Sequence, residues 1–395
     1  MGLLLANYLG VAGISTLVLE KRVSRAATSR AIGVTPTSLE ILANLDLSDR
    51  FLEEGIKITR AEIRTDQGLL VRGEIGGEIA PLPFIVSIPQ SRTEEILAES
   101  LSRYPHVLLL LGWEVDRVKD RGEEVSIGAI HHSTGDRSEF KGSFLCACDG
   151  SSSTVRQLLE IRHKRRPYGV TFQMTDYCDR SGLGEAAVLC FTKGGSVESF
   201  PVPGGIRRWI VQTGTRSKGP MGFEEILAER TGFRLDHRDA LWTSGFRPER
   251  SENRIYAQGR VIFCGDAAHT MPPIGGHGMN TGFGDARLLS AVLDQLLNNS
   301  AGAEKLLRTY TRFRKRSFHS AASRSRVFMG IGTIRAPLLR NLRNLLVRLI
   351  FFTPLRISVI RHFAMLNIPH AGTRSVRKLR SRAVSIHKTA EVSLG

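Results

Sequence analysis

Gly265-Asp266-Ala267-Ala268-His269-Thr270-Met271-Pro272-Pro273-Ile274-Gly275-Gly276-His277-Gly278-Met279-Asn280-Thr281-Gly282 decides the reading of this 395-residue chain. Ahead of it stands an apolar run, Arg260-Val261-Ile262-Phe263-Cys264, which predicts a buried strand. After it, Asp285 to Leu297 has the pattern of a helix. A strand, an acid, a glycine-rich loop and a helix, in that order, suit a phosphorylated, hydroxyl-rich cofactor. The acid accepts hydrogen bonds from sugar-like hydroxyls. The glycines let backbone amides come close, and the helix start carries partial positive charge toward an anion or electron-rich ring.

Working outward, the front of the chain carries a second element of the same kind. Met1 to Leu9 reads as a helix, and Gly13 to Lys21 as a turn and an apolar strand ending in Glu20. In a dinucleotide-binding unit such an acid binds the adenosine ribose, and Gly2 takes the place of the last glycine of a Gly-x-Gly-x-x-Gly loop. A first strand and the rest of that loop are expected ahead of the helix, and the sequence does not carry them. The preferred reading is a gene or record shortened at its 5′ end; the other is a protein shortened in its own right.

The bulk numbers narrow the class. Hydrophobic content of 42% and charged content of 24% are those of a globular protein. The formal charge of +17 is concentrated at one end: Lys305 to Gly395 holds 20 Lys/Arg against one acid, Glu391, and the remainder 35 basic against 37 acidic residues. No nucleic-acid motif accompanies this tail, so no nucleic-acid partner is expected. Cys146, Cys148, Cys178, Cys190 and Cys264 lack zinc-ligand spacing and read as reduced core residues. Met1 leads straight into Leu3-Leu4-Leu5 without a basic segment or cleavage site. The best membrane-span candidate, Leu345 to Ile360, is interrupted by Arg348, Pro354 and Arg356. The expectation is a cytoplasmic protein.

Three more stretches carry chemistry. Ser29-Arg30-Ala31-Ile32-Gly33 precedes an amphipathic segment, Thr37 to Leu45. Pro89-Gln90-Ser91-Arg92 opens a helix over Thr93 to Leu101. Phe144-Leu145-Cys146-Ala147-Cys148-Asp149-Gly150, then Ser151 to Arg156, reads as a buried strand, an acid and a capped helix. Residues 165–250 change texture to short β-rich runs, with one helix over Gly222 to Thr231.

Together these motifs closely resemble those of the FAD-dependent aromatic hydroxylases, the group A flavoprotein monooxygenases of the p-hydroxybenzoate and 3-(3-hydroxyphenyl)propionate hydroxylase type. The resemblance covers roughly residues 1–320. It implies an α/β (α+β) fold: a Rossmann-like FAD-binding domain lacking its first strand (1–164 and 251–304), an inserted β-sheet substrate domain (165–250) and basic C-terminal helices (305–395). It implies hydroxylation of an aromatic or phenol-like small molecule with NADPH or NADH and O2, through a flavin C4a-hydroperoxide.

By the same resemblance Gly2, Glu20 and Lys21 belong to the cofactor site, with Arg30, Gln90, Asp149 and, less directly, Gly33. Gly265, Asp266, Pro273, Gly276, Gly278, Met279 and Asn280 complete it, and Arg156 braces its turn. His269 and Pro273 are expected near the flavin edge. No metal site or catalytic triad is expected, because the cofactor carries the reaction. The alternatives are a reductase on the same flavin fold, or a degenerate fragment that binds a partner or membrane through its basic tail. A halogenase is disfavoured, since Trp113, Trp209 and Trp242 stand alone. In the tail, Leu342, Leu345, Leu346, Leu349 and Ile350 share one helical face. That face is expected to pack on the body, the other reading being contact with an anionic bilayer.

Overall fold

Two parallel strand pairs frame the molecule. Thr16–Glu20 pairs with Val107–Leu111, and Leu145–Ala147 pairs with Val261–Phe263. A computed structural model describes residues 1–24, 31–75, 82–213, 222–273, 276–298, 302–332, 334 and 336–366. Val261–Phe263 is apolar at every position because both of its faces are covered, as parallel strands require. The two pairs belong to separate sheets among the described residues, and a cavity lies between them.

Helix Gly2–Val11 buries Leu4, Leu5, Ala6 and Leu9 and leads through Gly13 (φ 71°) into Thr16–Glu20. It packs against helix His277–Asn298. That helix begins eight residues before the Asp285 start predicted from sequence, so Gly278, Gly282 and Gly284 are helical rather than loop. Close packing explains Gly282: a Cβ there would sit 2.6 Å from the Met1 sulfur. This glycine, which looked like loop punctuation, admits the start of a neighbouring helix.

A seven-stranded sheet forms the second layer. Its order is Ala240–Phe246, Phe172–Cys178, Ile206–Gln212, Gly195–Val202, Ala187–Thr192, Arg60–Thr65, Gly68–Glu74. The last two strands come from the part of the chain assigned to the FAD-binding domain, so 165–250 is not the whole of this layer. Arg60–Thr65 joins in parallel to Ala187–Thr192; the other pairings are antiparallel. Period-two alternation gives the sheet two faces. Tyr177, Val188, Cys190, Val197, Trp209 and Val211 pack under helix Phe223–Thr231. Met174, Ala187, Glu198, Phe200 and Ile210 face the cavity instead. Among the cysteines, Cys178 is exposed rather than in the core.

The basic segment folds as helices Ala303–Gly332, Pro337–Phe351 and Leu355–Phe363, with Pro337 in a first turn and Pro354 at a helix N-cap. The first of these packs on helix His277–Asn298. The second departs from expectation. It docks through Arg343, which lies over the Phe191 ring at 5.1 Å, and through the Arg340–Asp66 ion pair. Its leucines point away from the body: Leu338 is 80% exposed, Leu345 54% and Leu349 54%. The amphipathic pattern was real, but its arginine side is the inner one. Residues 367–395 lie outside the described residues.

Candidate functional site

One cavity of about 1380 Å³ gathers most of the residues singled out in the sequence. Gly2, Glu20, Lys21, Gln90, Asp149, Asp266, Pro273, Gly276, Gly278, Met279 and Asn280 all line it, as does Gly33. They come from five separated stretches of chain. Arg30 lies outside the described residues. Gly265 and His269 stand behind the wall.

The reason is a buried polar hub on helix His277–Asn298. The Asp285 carboxylate accepts the Gly265 N–H at 3.0 Å and lies 2.8 Å from His269 Nε2. It also ion-pairs with the Arg314 guanidinium, which donates in turn to the Thr281 carbonyl at 2.9 Å. Gly265 takes φ 61°, a backbone state that glycine tolerates. His269 is stacked on Phe318, ring centroids 4.7 Å apart, and is buried. His269, expected near the flavin edge, does not line the cavity: Asp285 draws the imidazole inward. Burial alone would raise the Asp285 carboxyl, but Arg314 and His269 hold it at about 2. The hub ties the strand end, the loop and two helices together.

With the loop so fixed, Asp266 turns toward the cavity. It is open to the cavity space yet surrounded by protein, and that burial raises its pKa, with His269 pulling the other way. Asn280 fastens the opposite wall. Its amide oxygen accepts the Thr35 N–H at 3.0 Å, and its amide nitrogen donates to the carbonyls of Gly33 at 2.9 Å and Gly276 at 2.7 Å. Gly278, Met279 and Asn280 form the first turn of their helix, where backbone N–H groups have no carbonyl four residues back.

At the other end, Glu20 accepts the Arg22 N–H at 2.9 Å and its guanidinium at 3.1 Å. Burial would raise the Glu20 carboxyl, but Arg22 holds it below the usual range. Among the described residues, Lys21 reaches the half-buried Glu114 at 3.9 Å. Asp149 accepts the Val155 N–H at 3.0 Å, and Arg156 bridges the Ser151 and Ala267 carbonyls at 2.6 and 3.2 Å, joining two cofactor loops. The Gln90 side chain donates to Glu94 at 2.8 Å.

Sequence reasoning passed over Arg22, Asp285, Arg314 and Glu198. An acid between Phe283-Gly284 and Ala286, ahead of the apolar pair Leu288-Leu289, was the available signal for Asp285. The signal for Glu198 was an acid in a β-rich run, between Val197 and Ser199-Phe200.

The donor set fits FAD. Acids at both ends of a long cavity match ribose and ribityl hydroxyls, and the helix start matches the electron-poor partner that a flavin pyrimidine needs. A Cβ built on Gly276 or Gly278 meets nothing within 4 Å, so both backbones face open space. The cavity exceeds the roughly 300–1,000 Å³ of an ordinary small-molecule pocket, which leaves room for a dinucleotide and a second ligand.

Comparison with known proteins agrees. Residues 1–325 match the FAD binding domain family, and the chain belongs to it. It is 29% identical over 310 residues to the uncharacterized aromatic compound monooxygenase YhjG of Bacillus subtilis (strain 168), covering 76% of this chain and 61% of that protein. It is 26% identical over 340 residues to the 3-(3-hydroxy-phenyl)propionate/3-hydroxycinnamic acid hydroxylase of Klebsiella pneumoniae subsp. pneumoniae, covering 80% and 57%. The chain thus spans about three fifths of the length of these curated relatives. The solved structure of p-nitrophenol 4-monooxygenase PnpA from Pseudomonas putida DLL-E4 superposes with TM-score 0.83 at 18% identity, over 94% of this chain and 95% of that one, which establishes the fold.

Proposed function

We propose that this chain is an FAD-dependent monooxygenase that hydroxylates a small aromatic, phenol-like molecule with NADPH or NADH and O2. The observation that carries the reading is the continuity of the cavity. The loop after Asp266 and the apolar sheet face of Met174, Phe200 and Ile210, with Phe246, line the same space. When bound, FAD supplies the redox chemistry, taking reducing equivalents from the nicotinamide and activating O2 toward the ring.

The chain's own residues bind and shape. Asp266 and Glu20 accept hydrogen bonds from the cofactor's hydroxyls. The first turn Gly278–Asn280 presents partial positive charge where negative charge would build up on a reduced pyrimidine ring. Pro273 stiffens the loop beside it, and the apolar sheet face keeps water from the reacting ring. Purification of the full chain tests the reading. A yellow protein that consumes NAD(P)H faster when an aromatic substrate is present supports it. A protein that stays colourless after incubation with FAD overturns it and favours the non-catalytic alternative.

A second reading concerns location. Among the described residues no helix is long and apolar enough to cross a membrane. The outward leucines of Pro337–Phe351, flanked by exposed Arg348 and Arg356, support a cytoplasmic protein that also touches anionic bilayers, with the stripe inserted and the arginines at the headgroups. Co-sedimentation with phosphatidylserine vesicles at low salt, released as salt rises, is the expected result. Unchanged sedimentation of a variant with Leu338, Leu342, Leu345 and Leu349 changed to Ser removes the basis for it.

A further inference from the structure

Glu198 interrupts the apolar wall that the seven-stranded sheet turns toward the cavity. On strand Gly195–Val202, alternation puts Glu198 and Phe200 on that face, and the register sets Glu198 against Ile210 and Leu189. Met174, Ala187, Phe200, Ile210 and Phe246 make the surrounding wall apolar, and Glu198 lines the cavity with them. The residue is only 4% exposed. Arg208, the cation one step along the same face, is held by Asp176 through two 2.7 Å contacts and lies over Trp242 at 4.9 Å.

Burial by itself pushes the Glu198 carboxyl up to about 7, with no hydrogen bond or neighbouring charge among the described residues offsetting it. An unpartnered carboxyl inside an apolar wall works against folding, since a buried polar group without a partner is costly. Acids that break the local pattern in this way mark functional positions.

We infer that Glu198 selects the substrate, accepting a hydrogen bond from a phenolic O–H or an aromatic N–H on the ring bound against the sheet, and turning away aromatic carboxylates. The inference rests on the flavoenzyme reading above and names its substrate class. A ring with a donor gives the buried carboxylate the partner that the protein withholds. A ring without one leaves it desolvated and alone. A carboxylate ligand places a second negative charge in the same low-dielectric space. The apolar residues around Glu198 hold the ring by contact but do not distinguish these three cases, so discrimination at this wall falls to its acid.

The test uses the FAD-loaded full chain at pH 8, with 2-naphthol, 2-methoxynaphthalene and 2-naphthoate as probes, binding being read from the flavin absorbance. The wild type is expected to favour 2-naphthol over its methyl ether by roughly 10- to 100-fold, the range for a hydrogen bond to a charged group, and to bind 2-naphthoate least. In Glu198→Leu the naphthol preference should collapse to within about threefold. Glu198→Gln keeps an acceptor without the charge, so it should retain part of that preference and admit 2-naphthoate. An unchanged naphthol preference in Glu198→Leu with FAD still bound overturns the assignment alone, as does a wild type that prefers 2-naphthoate. A wild type that holds no FAD overturns the flavoenzyme reading, and the assignment with it.

Discussion

Asp285 and Glu198 are buried to nearly the same degree, 0% and 4% exposed, and their carboxyls are driven in opposite directions. Asp285 sits behind the cofactor loop with Arg314, His269 and the Gly265 amide around it, and is held at about 2. Glu198 sits on the seven-stranded sheet among apolar side chains and is pushed to about 7. Burial therefore says little about what a carboxyl does. Its partners decide whether it is scaffold or site. A fully paired acid fixes geometry, and an unpaired one at a cavity wall has a hydrogen-bonding requirement that a ligand can meet.

The strongest way to break this contrast is Asp285→Asn. Removing the charge leaves Arg314 buried without its counter-charge, and a single amide oxygen remains to accept from the Gly265 N–H, His269 and Arg314. The expected loss is about 3–5 kcal/mol of folding stability, the usual result of breaking a buried pair from one side. Urea denaturation of the two proteins measures it, and the variant should also retain less FAD, because Gly265 and Arg314 no longer hold the loop to its helices. A loss under about 1 kcal/mol would mean that the hub is decoration, and that packing alone positions the loop.

Glu198→Gln sharpens the contrast from the other side, with the opposite sign. The folded-state pKa of Glu198 is raised, so its contribution to stability is fully present below the ordinary value of about 4.5. That contribution is lost as pH rises through about 7. The glutamine variant should match the wild type at pH 4.5 and exceed it at pH 8 by about 2–3 kcal/mol in the absence of ligand. Asp285 behaves inversely: its contribution is present above the ordinary carboxylate range and fades as pH falls toward 2. Thermal melts across that pH range should separate the two. Equal melting temperatures of wild type and Glu198→Gln at both pH values would show that Glu198 finds solvent or a partner after all.

The sequence revealed the parts of this site that are local and hid those that depend on how faces are turned. Gly265–Gly282 and Asp149–Arg156 continue a strand through a turn into a helix, and Gly2–Glu20 runs helix, turn and strand, so contiguous sequence alone announced a cofactor site. Arg314 lies 29 residues from Asp285, on another helix, and no spacing rule joins them. Glu198 stood out as an acid in a β-rich run but not as a cavity residue, because one sequence does not say which face of a strand meets the cavity. The strands Arg60–Thr65 and Gly68–Glu74 escaped because they join a sheet whose other members begin at Phe172. Helix Pro337–Phe351 shows the same limit: its period of 3.6 identified two faces, and Arg343 and Arg340 took the inward one.

Asp266 stands between the two extremes and gives the smallest expected effect. It is close to the Asp285 hub and follows directly from Gly265, yet its carboxylate opens to the cavity and burial raises its pKa as it does that of Glu198. If partners decide function, this acid is a site residue whose partner is the cofactor rather than the substrate. Asp266→Ala should then leave the folding stability of the FAD-free protein within about 0.5 kcal/mol, since nothing in the hub depends on it. Affinity for FAD should fall by on the order of 1–3 kcal/mol, the cost of losing one buried hydrogen bond to a ligand hydroxyl. Flavin fluorescence titration of both proteins gives the second quantity, and urea denaturation the first. An unchanged FAD dissociation constant would remove Asp266 from the site. A large loss of stability without FAD would instead move it to the side of Asp285, as one more scaffold carboxylate.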